Sequence, residues 1–411
     1  MIVPRYGGRK VYRNSSYYKK KKIKKSLGIA VGILGLAVLV FVGYSVGKPI
    51  MNYFSSDKIA SETEAKPWSP PTSDKEFVQT SVDNDESAED NKDNIEDNTA
   101  ENKAESKDFT AVELPVTALS SSQALSDYLT QARDSGFNAV FVEMKSQGGT
   151  INYKTSSEFA AKDEAAVQGT MPAAQIASII KNSGFKAYAV LNLLEDNNRY
   201  GENRDGSYHN TDGTTWLDNA PAKGGKPWLS PFETDTIDYI GYLSDEISAA
   251  GFDGVIACGA VFPTFRNSDI AYIGQTVSSG TRYTALVNAV NTSKDAVTAN
   301  GTEFILKLNA ADIINDKAEV LKPDMLGNIT VLADYDPSEF GGTVVYNNQE
   351  IILSEMSAAD RFITVMDIIK EKTGGNITVI PSLKYDKFSQ NDYNDVITAL
   401  VGEGYSSYSV R

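Results

Sequence analysis

The sequence predicts an α/β protein whose folded part is a closed (β/α)8 barrel, preceded by one transmembrane helix and a disordered acidic linker. Three observations carry this. Short β-rich runs alternate with helical stretches from residue 109 to residue 411. One uncharged run near the N-terminus is long enough to cross a bilayer. Between the two lies a stretch rich in acids and poor in large apolar side chains.

Residues 1–26 read as a basic cytoplasmic tail. The first 25 hold ten Lys or Arg and no acid, ending in a lysine block from Lys19 to Lys25. Leu27–Gly47 follows without a charge, and its 21 residues span about 30 Å as a helix. Basic residues stay on the cytoplasmic side, so this signal-anchor places the tail inside and everything after Lys48 outside. The apolar run is too long for a cleaved leader's core, and no Ala-x-Ala site follows it. Residues 48–108 form the linker. Asp57 to Asp108 carries 16 acids against six Lys, a composition that cannot bury enough surface to offset chain entropy.

The barrel, residues 109–411, is long enough for one large domain. Its expected strands are Leu114–Leu119, Ala139–Met144, Ala187–Leu193, Gly254–Cys258, Phe304–Asn309, Ile329–Ala333, Ile377–Pro381 and Ser406–Val410. The expected helices are Ser122–Ser135, Pro172–Ser183, Thr234–Ala250, Tyr283–Asn300, Ser357–Lys372 and Gln390–Gly402, several with Gly near their ends. An open doubly wound sheet is the other arrangement with this alternation. It is disfavoured because no Gly-x-Gly-x-x-Gly turn follows the first strand.

The whole chain has a formal net charge of −15, and the barrel alone has 38 acids against 22 Lys or Arg. Such a surface argues against nucleic acid as a partner. A single Cys excludes a disulfide framework. One His and one Cys are too few for a zinc site, and no cofactor is expected. Cys258 with His209 would make a nucleophilic pair only if the His209 loop folded over the barrel mouth. A lone Cys on an apolar strand is more often a buried small hydrophobe.

Residues Gly251 to Pro263 read Gly-Phe-Asp-Gly-Val-Ile-Ala-Cys-Gly-Ala-Val-Phe-Pro. This resembles strand four of a family of bacterial cell-surface (β/α)8 barrels related to glycoside hydrolases, whose pattern is Gly-Phe-Asp-x-Ile-x-Phe-Asp-Tyr-x-Arg-Phe-Pro. Cys258 stands in the slot of the second Asp and Val261 in that of the Arg. The second strand, Asn138 to Lys145, resembles the family's Asn-Ala-Val-Val-Ile-Asp-Val-Lys, with Glu143 replacing the Asp and Lys145 retained. The third runs through Asn192 to Glu195 and Asp196, with Val190 where the family has Arg. The sixth runs Asp334-Tyr-Asp336-Pro-Ser-Glu339-Phe and faintly resembles a Tyr-Pro-Ser-His-Phe motif. The long loop after strand three carries Trp216 and Trp228 in patterns that the family shares.

The resemblance implies carbohydrate as the ligand, a cell-envelope or extracellular polysaccharide. Because (β/α)8 sites lie at the C-terminal strand ends, the candidate catalytic carboxylates are Glu143, Asp334 and Asp336. Candidate substrate-binding residues are Lys145, Asn192, Glu195, Asp196, Trp216 and Trp228, the Trp rings offering flat faces to a pyranose. Two functions compete. One is hydrolysis by Glu143 with a second rim carboxylate. The other is a non-enzymatic binding or scaffold module of the envelope, which the loss of the strand-four Asp favours.

Overall fold

The computed structural model describes residues 108–157, 166–198, 206–374 and 377–411. The expected tail, membrane span and linker, residues 1–107, lie outside the described residues. Among the described residues, no helix is long and apolar enough to cross a membrane.

Eight parallel strands close into a barrel: β1 (Thr110–Leu114), β2 (Ala139–Lys145), β3 (Lys186–Asn192), β4 (Gly254–Cys258), β5 (Glu303–Asn309), β6 (Thr330–Tyr335), β9 (Thr378–Leu383) and β10 (Tyr408–Val410). Around the barrel the order is β1-β10-β9-β6-β5-β4-β3-β2. β7 (Val344–Tyr346) and β8 (Gln349–Ile351) form a separate antiparallel hairpin. Asn347 and Asn348 take positive φ at its tip, the backbone that a tight two-residue turn needs.

The helices are α1 (Ser122–Asp134), α2 (Ala173–Asn182), α3 (Thr234–Ala249), α4 (Asn267–Ile273), α5 (Tyr283–Ala299), α6 (Ala310–Ile314), α7 (Ala358–Lys372) and α8 (Gln390–Gly402). Serine side chains at Ser121, Ser357 and Ser389 accept backbone N–H groups and start α1, α7 and α8. All six expected helices form. The short α4 and α6 carry too few turns to show a period in sequence.

The first expected strand is misplaced. The strand is Thr110–Leu114, and Val116–Ser120 is a 3-10 turn. Pro115 has no N–H to give to a ladder and caps that turn instead. Thr110–Leu114 then pairs with β2 on one side and β10 on the other, closing the barrel.

Alternation along the strands separates two cores. Val140, Val142 and Met144 point out to the helices, with Leu125, Leu129, Ile176 and Ile180. Phe109, Ala111, Ala139, Phe141, Tyr188, Val190, Ile256, Ile305, Leu332 and Ile380 fill the inside. Phe109, Phe141 and Tyr188 pack ring against ring there, with centroids 4.9–5.7 Å apart. The barrel is therefore a packed plug rather than a pore.

Candidate functional site

A polar layer caps the inner core at the C-terminal strand ends. Two residues beyond each inward apolar side chain, on the same face, stand Glu113 after Ala111, Glu143 after Phe141, Asn192 after Val190 and Cys258 after Ile256. Lys307 after Ile305, Asp334 after Leu332 and Ser382 after Ile380 continue it. Arg411, just past β10, completes the ring.

These groups are joined across the barrel. Lys307 Nζ lies 3.3 Å from Glu113 Oε2 and 3.9 Å from Asp334 Oδ2. Arg411 forks onto Asp334, Nε to Oδ1 at 2.7 Å and Nη2 to Oδ2 at 2.8 Å. β1 and β5 are opposite staves of the barrel, so the Glu113–Lys307 pair bridges the mouth. Burial works against the charge on Lys307, but Glu113 and Asp334 more than offset it and raise its pKa. Arg411 is held charged in the same way by Asp334.

Cys258 sits among Lys307, Glu113, Glu195 and Glu143. Burial pushes its thiol up to about 12, so it is neutral at physiological pH. That agrees with a structural cysteine and speaks against a nucleophile. His209 pairs in the β3–α3 loop with Thr215.

Glu143 accepts a hydrogen bond from Ser146 Oγ at 2.8 Å, and its carbonyl takes one from Asn152 Nδ2. Among the described residues no cation approaches its carboxylate within ion-pair distance. Glu195 ties to Asn192 Nδ2 at 3.0 Å and to Gln147 Nε2 at 2.9 Å.

Five expected site residues are placed otherwise. A β-bulge between Glu143 and Lys145 adds a residue to β2 and turns Lys145 out of the barrel. Only 1 % exposed, Lys145 pairs with Asp196 at 2.9 Å, donates to the Asn192 carbonyl and lies over the Tyr239 ring. Lys145 and Asp196 thus lock the loops after β2 and β3 together under α3, away from solvent. Gly149 stands directly against this pair. Its φ is +91°, and a Cβ there would meet Asp196 Oδ1 at 1.9 Å.

Asp336 is buried too, capping the turn at Ser338 and pairing with Lys384 at 2.8 Å. Trp216 is 3 % exposed, wedged against Tyr208 and Phe265. It offers no open face, because Tyr208 from its own loop and Phe265 from the segment after β4 shield it. Trp228 is half-buried and donates Nε1 to Asp218, which pins the loop.

Sequence reasoning missed Glu113, Lys307 and Arg411. The signal was present for Lys307, a charge two residues past the inward Ile305. For Glu113 it was hidden by the misplaced first strand.

Against known proteins, residues 111–319 match the family described as a putative glycosyl hydrolase domain. No curated protein matches the chain. Among solved structures the chain is similar to the PgaB (BpsB) glycoside hydrolase domain from Bordetella bronchiseptica. Identity is 13 %, coverage 74 % of this chain and 93 % of that one, and TM-score 0.49. It is also similar to the catalytic domain of a β-amylase from Paenibacillus polymyxa, at 9 % identity, 74 % and 91 % coverage and TM-score 0.45. A hypothetical protein from Ruminiclostridium thermocellum gives 16 % identity, 47 % and 96 % coverage and TM-score 0.39. The family match runs from β1 through the rim of β5, over half of the chain, and the chain belongs to the putative glycosyl hydrolase domain family.

Proposed function

We propose that the barrel is a carbohydrate-recognition domain that binds a cell-envelope or extracellular polysaccharide at its rim without cleaving it. The carrying observation is the ion network across the mouth. Glycoside hydrolysis needs two carboxyl groups flanking the scissile bond, one to give a proton and one to attack or to activate water. Glu113 and Asp334 share Lys307, so their oxygens lie no more than about 7 Å apart, within the span of such a pair. The space between them is taken by the Lys307 ammonium, and Arg411 clamps Asp334 from the other side. In the slot where the family carries a further Asp, Cys258 presents a neutral thiol.

Glu143 remains to accept hydroxyl groups of a sugar. It also supports a second reading, hydrolysis by Glu143 with another rim carboxylate, since no described cation pairs with it. Titration of polysaccharides against the protein, together with an assay for released reducing ends, separates the two. Binding without release supports recognition. Release that Glu143→Gln lowers by orders of magnitude while binding survives supports hydrolysis. Absence of both would leave a scaffold role in the envelope.

The setting proposed for the domain is extracytoplasmic, with the Leu27–Gly47 span as anchor and residues 48–108 as tether. The lysine bias before the span supports it. Protease added to intact protoplasts should remove the barrel; its protection would overturn this topology.

A further inference from the structure

We infer that Lys307 is the principal donor to the sugar in the barrel mouth, and that the unit it holds is a neutral hexopyranose whose hydroxyls accept from Lys307 and donate to Glu143. This rests on the carbohydrate reading above and adds which residue grips the ligand and which sugars fit.

An incomplete set of hydrogen bonds carries the inference. An ammonium has three N–H groups to place. Among the described residues Lys307 makes one hydrogen bond, to Glu113 at 3.3 Å. Asp334 Oδ2, at 3.9 Å, is near enough to attract the charge but beyond hydrogen-bond reach. The Lys307 side chain is 15 % exposed, and the inner core fills the barrel below it, so what stays open faces the mouth. A largely buried donor without an acceptor is costly, and a sugar hydroxyl entering from the rim supplies the acceptor.

Cys258 keeps those N–H groups available. It ends β4, the strand paired with β5, and lies close enough to Lys307 for each to act on the other's charge. A carboxylate in that place would claim the ammonium. A neutral thiol is a weak acceptor and does not.

On the other side of the mouth Glu143 is held as an acceptor. Asn152 Nδ2 donates to Ser146 Oγ at 2.7 Å, and the Ser146 hydroxyl gives its own proton to Glu143 at 2.8 Å. A hydroxyl both accepts and donates, so one kind of group serves Lys307 and Glu143 alike. Charge narrows the class further. Glu113, Glu143, Glu195 and Asp334 converge here against Lys307 and Arg411, an excess of two acids. Lys384 and Asp336 cancel each other, and Glu339 adds one more acid on the loop after β6. A uronate or a phosphate is repelled by that excess. The ammonium of an amino sugar has no lone pair to offer Lys307 and carries the same charge.

The test titrates the full chain with short oligosaccharides: neutral β-glucan, mannan and galactan, anionic oligogalacturonate and cationic chitosan. Wild type should bind a neutral probe more tightly than either charged one. Lys307→Met removes the donors and should weaken that binding about tenfold or more. Cys258→Asp sets a carboxylate beside Lys307, and Cys258→Asn matches its shape without the charge. The Asp variant should bind about tenfold more weakly than the Asn variant. Circular dichroism checks that each variant is folded; should Lys307→Met not fold, the Cys258 pair decides. Wild-type affinity in folded Lys307→Met, or equal affinity in the two Cys258 variants, overturns the inference and leaves the rim reading standing. Tighter binding of oligogalacturonate or chitosan than of every neutral probe does the same. If wild type binds no probe at all, the carbohydrate reading fails and this inference with it.

Discussion

Asp196→Asn tests whether the Lys145–Asp196 pair holds the rim loops. Both side chains are almost wholly buried and 2.9 Å apart, and Lys145 has the Asn192 carbonyl as its other close acceptor. Removing one partner of a buried pair leaves the other charge uncompensated, which costs about 3–5 kcal/mol. Asparagine keeps the shape and one acceptor oxygen, so the expected loss is at the low end, about 3 kcal/mol. Unfolding entropy of about 2 cal/mol/K per residue over the 303 barrel residues converts this to a fall of about 5 °C in melting temperature.

Thermal melts followed by circular dichroism measure it. The double variant Lys145→Met/Asp196→Leu replaces both charges by apolar groups. It should recover most of the loss, giving a coupling energy of about 1–3 kcal/mol in a double-mutant cycle. A melting temperature within about 1 °C of wild type for Asp196→Asn, or additive single and double variants, would refute the assignment of Lys145 and Asp196 to the loop lock.

Three further outcomes are expected. Gly149→Ala should destabilise by more than about 2 kcal/mol in urea melts, since a Cβ there overlaps Asp196 and φ is positive. Gly184→Ala, with φ +82° but open space, should cost only about 1 kcal/mol. Cys258 should resist iodoacetamide in the native state at pH 8, because burial raises its thiol to about 12, and Cys258→Ala should cost about 1–2 kcal/mol. Burial pushes the Glu246 pKa up, but its hydrogen bonds to Thr155, Ser156 and Tyr153 pull it below the usual value. A depressed folded pKa adds stability above the unfolded value of about 4.5 that is lost as pH falls further. Glu246→Gln should therefore flatten the stability slope below pH 4.5.

The barrel itself was legible in the sequence because its signal is local. Alternation along Val140 to Glu143, or Ile305 to Lys307, assigns each side chain to the inside or the outside within one strand. From that parity alone Glu143 belongs at the mouth, and the structure places it there. The same rule fails at Lys145, where one extra residue in the ladder sends a side chain of inward parity to the outer core. No composition or spacing marks that bulge, which shows only as a shift of register against β3.

Trp216 and Asp336 show the same divide. An aromatic ring in a polar loop reads as a ligand platform until Tyr208 and Phe265, one of them nearly fifty residues away, close over it. A rim aspartate reads as a catalytic candidate until Lys384, from a different strand end, claims it. Most decisive is the mouth. Glu113, Lys307, Asp334 and Arg411 come from β1, β5, β6 and the end of β10, and up to about three hundred residues separate them along the chain. Local pattern sets which face each one takes. Only closure of the barrel sets which charges meet, because pairing across the lumen depends on strand order and stagger rather than on any neighbour in sequence. That pairing joins charged side chains from four distant segments into one ion network across the mouth.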